Sequence, residues 1–255
     1  PETAQSGAAH AHPAPTENFS PGGSRSFQQD GKYGTLAQVM KYDTNSKYPP
    51  ASGRRSGAAA EKAACILGVR PGALEELTLV RQSIDARKKQ DVHYVYTVDV
   101  SLRTGEEQAV ERTGKKNVSL VLPKPYLFPE VKRRSPSMPV VVGMGPAGLF
   151  AALFLARNGL PCVVLERGQD VDCRTAQVER FWDSGLLDPS SNVQFGEGGA
   201  GTFSDGKLTT STHDPRISAV IDALVESGAP EDVKWSHKPH IGTDILRQVV
   251  KRIRQ

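Results

Sequence analysis

Between residues 91 and 102 apolar and polar positions alternate. Val92, Tyr94, Tyr96, Val98 and Val100 fall on one side, and His93, Thr97, Asp99 and Ser101 on the other. A period of two is that of a β-strand with one buried face, because successive side chains point to opposite sides of the pleat. A second strand is predicted within 74–84, where Leu77 and Leu79 alternate with polar neighbours, and a third over 118–122. Residues 61–67 read as a short helix stopped by Gly68. Together these make a small α+β domain over 59–122, marginal in size for independent stability. Residues 1–58 are rich in Ala, Pro, Ser and Gly and sustain no apolar period. Such a segment buries too little apolar surface to offset the entropy of ordering, so a disordered tail is expected.

The pattern changes twice more. Residues 123–138 carry Pro123, Pro125, Pro129 and Pro136, with Pro139 just beyond, and the basic cluster Lys132-Arg133-Arg134. Proline removes backbone donors and stiffens the chain, which predicts an extended linker. Then come short runs that are apolar throughout. Val140-Val141-Val142 leads into Gly143-Met144-Gly145-Pro146-Ala147-Gly148. A helical stretch follows, with Leu149, Ala152, Leu153, Leu155 and Ala156 as its apolar positions, ending near Asn158-Gly159. A second run, Cys162 to Leu165, ends at Glu166. Unbroken apolar runs are typical of parallel strands buried on both faces. The expected fold of 139–255 is therefore α/β: a Rossmann-like domain, a parallel sheet with flanking helices. At its far end Thr243 is expected to cap a helix whose stripe is Ile245, Leu246, Val249, Val250 and Ile253. That stripe has no evident partner and the chain does not visibly return to the sheet. The α/β domain is thus expected to be incomplete, and the chain an N-terminal fragment of a longer protein.

Composition narrows the function. Of 255 residues, 38% are apolar and 24% charged, mean hydropathy is -0.40, and the net charge is +4. This mild positive excess suits an anionic ligand such as a pyrophosphate without implying nucleic acid. The basic run Arg87-Lys88-Lys89 lacks an aromatic RNA-binding signature and is read, with His93, as solvated. No apolar run approaches membrane-spanning length. Cys65, Cys162 and Cys173 are scattered and read as reduced thiols, with Cys162 in the core, in an intracellular protein. The location is cytoplasmic, or a plastid or other organelle should a targeting segment precede Pro1. His10 and His12, and the pair His237 and His240, lack the further ligands a metal needs, so no metal is expected. No catalytic triad is readable.

The chemistry lies in the first glycine run. Gly143 permits a tight strand-to-helix turn, Gly145 lets a pyrophosphate approach the backbone, and Gly148 lets the helix pack closely on the strands. With Pro146 and Ala147 they form the turn, and the helix N-terminus offers unpaired N–H groups and partial positive charge to phosphates. Glu166 can accept hydrogen bonds from the adenosine ribose and disfavours a 2′-phosphate, an argument its neighbour Arg167 weakens. A strand before the glycines, a helix and strand after them, and the acid beyond make this a strong dinucleotide signal.

Residues 140–168 resemble the FAD fingerprint of glutathione-reductase-type flavoproteins. The stretches 178–182, 187–189 and 191–208, and Lys238-Pro239-His240-Ile241-Gly242-Thr243-Asp244, resemble a family of FAD-dependent dehydrogenases of bacteria and plastid-bearing eukaryotes. So do 83–89 and 94–98 in its small N-terminal domain. The resemblance implies FAD, a redox role, and no agreed substrate. Within 195–208, Gly196, Gly198, Gly199, Gly201 and Gly206 are interleaved with Phe195, Phe203 and Leu208. So many glycines are poor for helix or strand. They suit backbone laid against a flat ligand or offering N–H groups to phosphate. Gly198, Gly199, Gly201, Ser204 and Lys207 are the expected contacts, the last two nearest the flavin.

The expected function is a flavin-dependent oxidoreductase, dehydrogenase-like, acting by hydride transfer on a small molecule, with an electron donor such as NAD(P)H. Two other readings stay open. One is an FAD-dependent RNA-modifying or RNA-associated protein. The other is a protein that holds FAD or NAD without redox turnover.

Overall fold

A computed structural model describes residues 57–121, 126, 128 and 136–255, together with the backbone of 35–43. The N-terminal part is a four-stranded antiparallel sheet with two helices. Its elements are β1 (Thr35–Asp43), α1 (Gly57–Leu67), β2 (Leu74–Asp85), β3 (His93–Leu102), α2 (Glu106–Thr113) and β4 (Val118–Val121), and the strand order is β2-β3-β1-β4. The alternation of β3 is realised, with Tyr96, Val98, Val100 and Leu102 buried. On that face sits α1, which offers Ala59, Ala60, Ala63, Ala64 and Leu67 to Leu74, Leu79 and Val98. Alanines on a helix face let its backbone approach the sheet closely. Cys65 lies on the exposed side of α1.

Three expectations are corrected here. Residues 35–43, assigned to the disordered tail 1–58, form an inner strand. β1 pairs with β3 from Leu36↔Val100 to Asp43↔His93, and with β4 from Thr35↔Val121 to Gln38↔Val118. Its sequence, TLAQVMKYD, has no clean period, and the strand is specified by partners on both sides. Residues 1–34 and 44–56 lie outside the described residues, and α1 starts at Gly57. Second, α2 occupies a stretch left unassigned. Glu106 is buried there and accepts the Leu102 N–H at 2.9 Å, tying the helix to the end of β3. Third, His93 is buried rather than solvated, with Nδ1 3.3 Å from Asp91 and Nε2 3.7 Å from Asp85. The carboxylates at the β2–β3 turn fold over the ring.

Most of the linker 123–138 lies outside the described residues. Phe128 packs on Phe154 with ring centres 4.2 Å apart, and Tyr126 meets Phe128 edge-on at 4.8 Å. Beyond it come β5 (Val140–Val142), α3 (Pro146–Arg157), β6 (Val163–Leu165), α4 (Val171–Ser184), α5 (Arg216–Glu226) and α6 (Thr243–Arg254). β5 and β6 are parallel, Val140↔Val163 to Val142↔Leu165, with α3 as the crossover, the βα unit expected of a dinucleotide domain.

The α6 stripe does have a partner in this chain. Val249, Val250 and Ile253 are buried with Leu149, Val171, Leu224, Val233 and Ile241. Its N-cap is Gly242, not Thr243, and no side chain caps it. The expectation of buried β5 and β6 fails among the described residues, since Val142 is 81% and Leu165 53% exposed. Two strands make too narrow a sheet for the helices to cover, and the core forms between helices instead. Cys162 precedes β6 and is half-buried; all three thiols are free.

The two parts meet at Trp235. Its carbonyl accepts the N–H of Gln82 on edge strand β2 at 2.7 Å, and its ring lies edge-on to Tyr96 at 6.5 Å.

Candidate functional site

The site begins at the β5–α3 turn. Gly143 has φ 92°, a left-handed backbone that suits glycine, and its N–H donates to the Leu165 carbonyl at 2.7 Å. Gly145 is the N-cap of α3, with φ -67° and ψ -178°, and Pro146 opens the helix. First-turn amides, here those of Ala147 and Gly148, have no intrahelical acceptor, and no side chain caps this end. The glycines have different jobs. A Cβ on Gly145 would meet nothing within 4 Å, whereas one on Gly148 would stand 1.9 Å from the Gly143 carbonyl oxygen. Gly148 closes the helix onto the turn, and Gly145 leaves space above it.

Glu166, just past β6, reaches back across that turn. One carboxylate oxygen accepts the Met144 N–H at 2.5 Å and the other the Gly168 N–H at 2.8 Å. Burial pushes this carboxyl upward. The N–H groups of Gly168, Met144 and Arg167, helped by the Arg174 charge, outweigh it and hold the group below the usual carboxylate range. Glu166 is therefore ionised at neutral pH, and each oxygen keeps acceptor capacity for a hydroxyl. Arg167 lays its guanidinium 3.7 Å over the Phe195 ring and so joins this segment to the second glycine run.

That second run packs on the first. The Gly198 N–H donates to the Met144 carbonyl at 2.8 Å. A Cβ on Gly199 would lie 2.9 Å from Pro146 Cδ, and one on Gly168 would lie 2.6 Å from Gly196 Cα. Gly198 and Gly199 are buried and have positive φ. Thus Gly143, Gly145, Pro146, Ala147, Gly148, Glu166, Arg167, Gly198 and Gly199 gather in one place. Gly201, Ser204 and Lys207 follow on the exposed side. The Ser204 hydroxyl donates to the Gly201 carbonyl at 2.9 Å, and Lys207 pairs with Asp205 at 2.5 Å. That partner raises the Lys207 pKa. Residues 206–208 are held by 239–241, through Ile241 N–H to the Gly206 carbonyl and Leu208 N–H to the Pro239 carbonyl, both 2.9 Å. His240 sits in this pairing, opposite Lys207.

Sequence reasoning missed Arg174 and Glu197. Arg174, on α4, is fully buried. It donates to the carbonyls of Asn192 at 3.1 Å, Val193 at 2.9 Å, Glu197 at 2.7 Å and Gly199 at 2.9 Å. Burial lowers its pKa, opposed by Glu166 and Glu197. Glu197, 1% exposed, accepts the Val171 N–H at 2.5 Å with one oxygen and faces Arg254 at 3.2 Å with the other. Burial raises its pKa, with that N–H and Arg254 opposing. A signal was present: Arg174 lies between Val171 and Val178 at helical spacing, a cation on the inner stripe. Among the described residues no group of His, Cys, Asp and Glu could hold a metal, and no helix is long and apolar enough to cross a membrane.

The turn, its open space and the acid together fit a dinucleotide, and comparison with known proteins says which. A family model described as FAD binding domain matches residues 139–201. A second, described as Domain of unknown function (DUF8436), matches 40–101, so it takes in the last four residues of β1, all of β2 and nearly all of β3. One curated relative, a Clostridium beijerinckii protein named "Uncharacterized protein", is 47% identical over 191 residues. The match covers 71% of this chain, and the chain spans about a third of that relative's length, 34%. The match indicates FAD as the cofactor of the 139–201 segment.

Proposed function

We propose that the protein containing this chain is an FAD-dependent oxidoreductase, dehydrogenase-like, acting on a small molecule with NAD(P)H or a comparable donor as its electron partner. The observation that carries this reading is the open space over Gly145 at the uncapped N-terminus of α3, beside an ionised Glu166. First-turn amides and the helix dipole suit an anion there. The amides of Ala147 and Gly148 would hold the pyrophosphate, and Glu166 the ribose hydroxyls. Gly198 and Gly199 back the turn, while Gly201, Ser204 and Lys207 are assigned to the ring end. Bound FAD supplies the hydride chemistry, which is the cofactor's own. The chain binds it and orients it, with the ion pair of Lys207 and Asp205 assigned to its ring end.

Purification of the full-length protein is the test. A yellow preparation is expected, with a flavin absorption band that bleaches under dithionite or NAD(P)H and FAD as the ligand released on denaturation. Recovery of NAD alone, or failure to bind added FAD, refutes the cofactor site. A flavin that no donor reduces refutes the redox role.

A further inference from the structure

Arg174 is an unusual choice for the centre of a loop. A buried cation carries a large desolvation penalty unless it is well bonded. Here the guanidinium donates four hydrogen bonds to backbone carbonyls, all of residues within 192–199. Its charge is answered through space by Glu166 and Glu197. The relation with Glu197 is reciprocal. The arginine of α4 gathers the loop's carbonyls, and the loop's carboxylate takes the first N–H of α4. Arg254 of α6 stands 3.2 Å from the other oxygen of that carboxylate, and the guanidinium groups of Arg174 and Arg247 lie 4.8 and 4.9 Å from the Phe203 ring centre.

This arrangement decides where the loop's amides point. No cis peptide occurs among the described residues. Across a trans peptide the carbonyl of one residue and the N–H of the next point in opposite directions. Drawing the Glu197 carbonyl onto Arg174 therefore turns the Gly198 N–H away from it, and that N–H does bond the Met144 carbonyl of the first glycine run. Drawing in the Gly199 carbonyl turns the Ala200 N–H away in the same manner. Ala200 is exposed and follows the glycine that touches Gly145 and Pro146.

We propose that Arg174, with Glu197 as its counterpart, is a positioning residue that presets the second glycine run and turns the Ala200 N–H toward acceptor atoms of the cofactor. This rests on the FAD reading, although the presetting can be tested without it. Preorganisation of this kind removes the ordering cost from the binding step.

The experiment is amide hydrogen exchange on the full-length protein, without and with FAD, joined to FAD titration of Arg174→Lys. Lysine keeps the charge but lacks the fork of donors that serves several carbonyls at once. In the wild-type apoprotein the amides of Glu197, Gly198 and Gly199, bonded to the carbonyls of Gln169, Met144 and Gly196, are expected to be protected already, and that of Ala200 only once FAD is bound. Arg174→Lys should lose that protection while keeping its far-UV circular dichroism. It should bind FAD at least about tenfold more weakly and shift the flavin absorption band. Three results overturn the proposal: a wild-type loop that exchanges freely until FAD is added, unchanged protection in Arg174→Lys, or lost protection with unchanged affinity and spectrum. The first needs no variant, so misfolding of Arg174→Lys cannot shelter the idea. If the wild type binds no FAD yet its loop is protected and Arg174→Lys exposes it, the flavin reading fails while Arg174 keeps its loop-setting role.

Discussion

Gly145→Val separates binding from folding. Position 145 has ordinary extended geometry, and an added Cβ meets nothing within 4 Å, so a side chain there starts into open space without backbone strain. The structural cost is that of a poor N-cap, about 0.5–1 kcal/mol. The branched side chain occupies the space assigned to the pyrophosphate. It would forfeit charge-assisted hydrogen bonds from the amides of Ala147 and Gly148, each worth roughly 1.5–3 kcal/mol. Two such bonds make about 3–6 kcal/mol, or roughly a hundredfold to ten-thousandfold in affinity. Gly148→Ala should behave in the opposite sense. Its methyl would stand 1.9 Å from the Gly143 oxygen, so the helix must move, with an overpacking cost on the order of 1–3 kcal/mol. The assay is FAD titration by flavin fluorescence, with a thermal melt of each apoprotein. Gly145→Val should melt close to wild type and fail to bind, whereas Gly148→Ala should melt lower. FAD binding by Gly145→Val within about threefold of wild type would refute the placement of the cofactor. So would an apoprotein melt that falls more for Gly145→Val than for Gly148→Ala.

Two further outcomes follow from packing and capping. The Asp170 carboxylate accepts the N–H groups of Asp172 and Cys173, both at 2.9 Å, and caps α4. Bonding chiefly to the Cys173 N–H depresses its pKa against the opposing effect of burial. Its contribution is therefore present above the ordinary carboxylate range and is lost as pH falls through the depressed folded value. Asp170→Ala should cost about 1 kcal/mol at pH 7 and less in acid, with Asp170→Asn close to wild type; urea melts at both pH values check the sign. Trp235→Ala removes the ring packed against Tyr96. For a half-buried tryptophan the loss should be on the order of 2 kcal/mol, below the range of fully buried ones. Calorimetry should then show two transitions in place of one, since this residue joins the sheet to the helical part.

Much of the first glycine run was legible because each glycine answers a local demand. A turn needs positive φ at Gly143, a helix needs contact at Gly148, and Gly145 leaves the open space that the proposed function assigns to the cofactor. The alternation that gave β3 is likewise local, since one strand between a core and a solvated face states its own period. β1 was not legible, because a strand between two neighbours takes its identity from their backbones and TLAQVMKYD states no period. The exposure of Val142 and Leu165 was misjudged for a related reason: apolar composition says that a strand can be buried, not what covers it.

Arg174 shows where reading by motif ends. Glycines announce a loop that must bend or approach something, but they do not say what holds it, because glycine has no side chain to hold with. The constraint has to come from outside the run, as a donor able to serve several carbonyls at once. Among side chains the guanidinium offers the most donors in a fixed fork. A glycine-rich loop that must keep one shape before its ligand arrives thus calls for a buried arginine on a neighbouring helix. The mark of that need is a charged residue placed where a helix should be apolar. Arg174 carries that mark between Val171 and Val178, and it bonds four carbonyls within the loop that touches Gly145. The glycines and the arginine are two halves of one device: the first lets the backbone come close, and the second fixes which way its amides face.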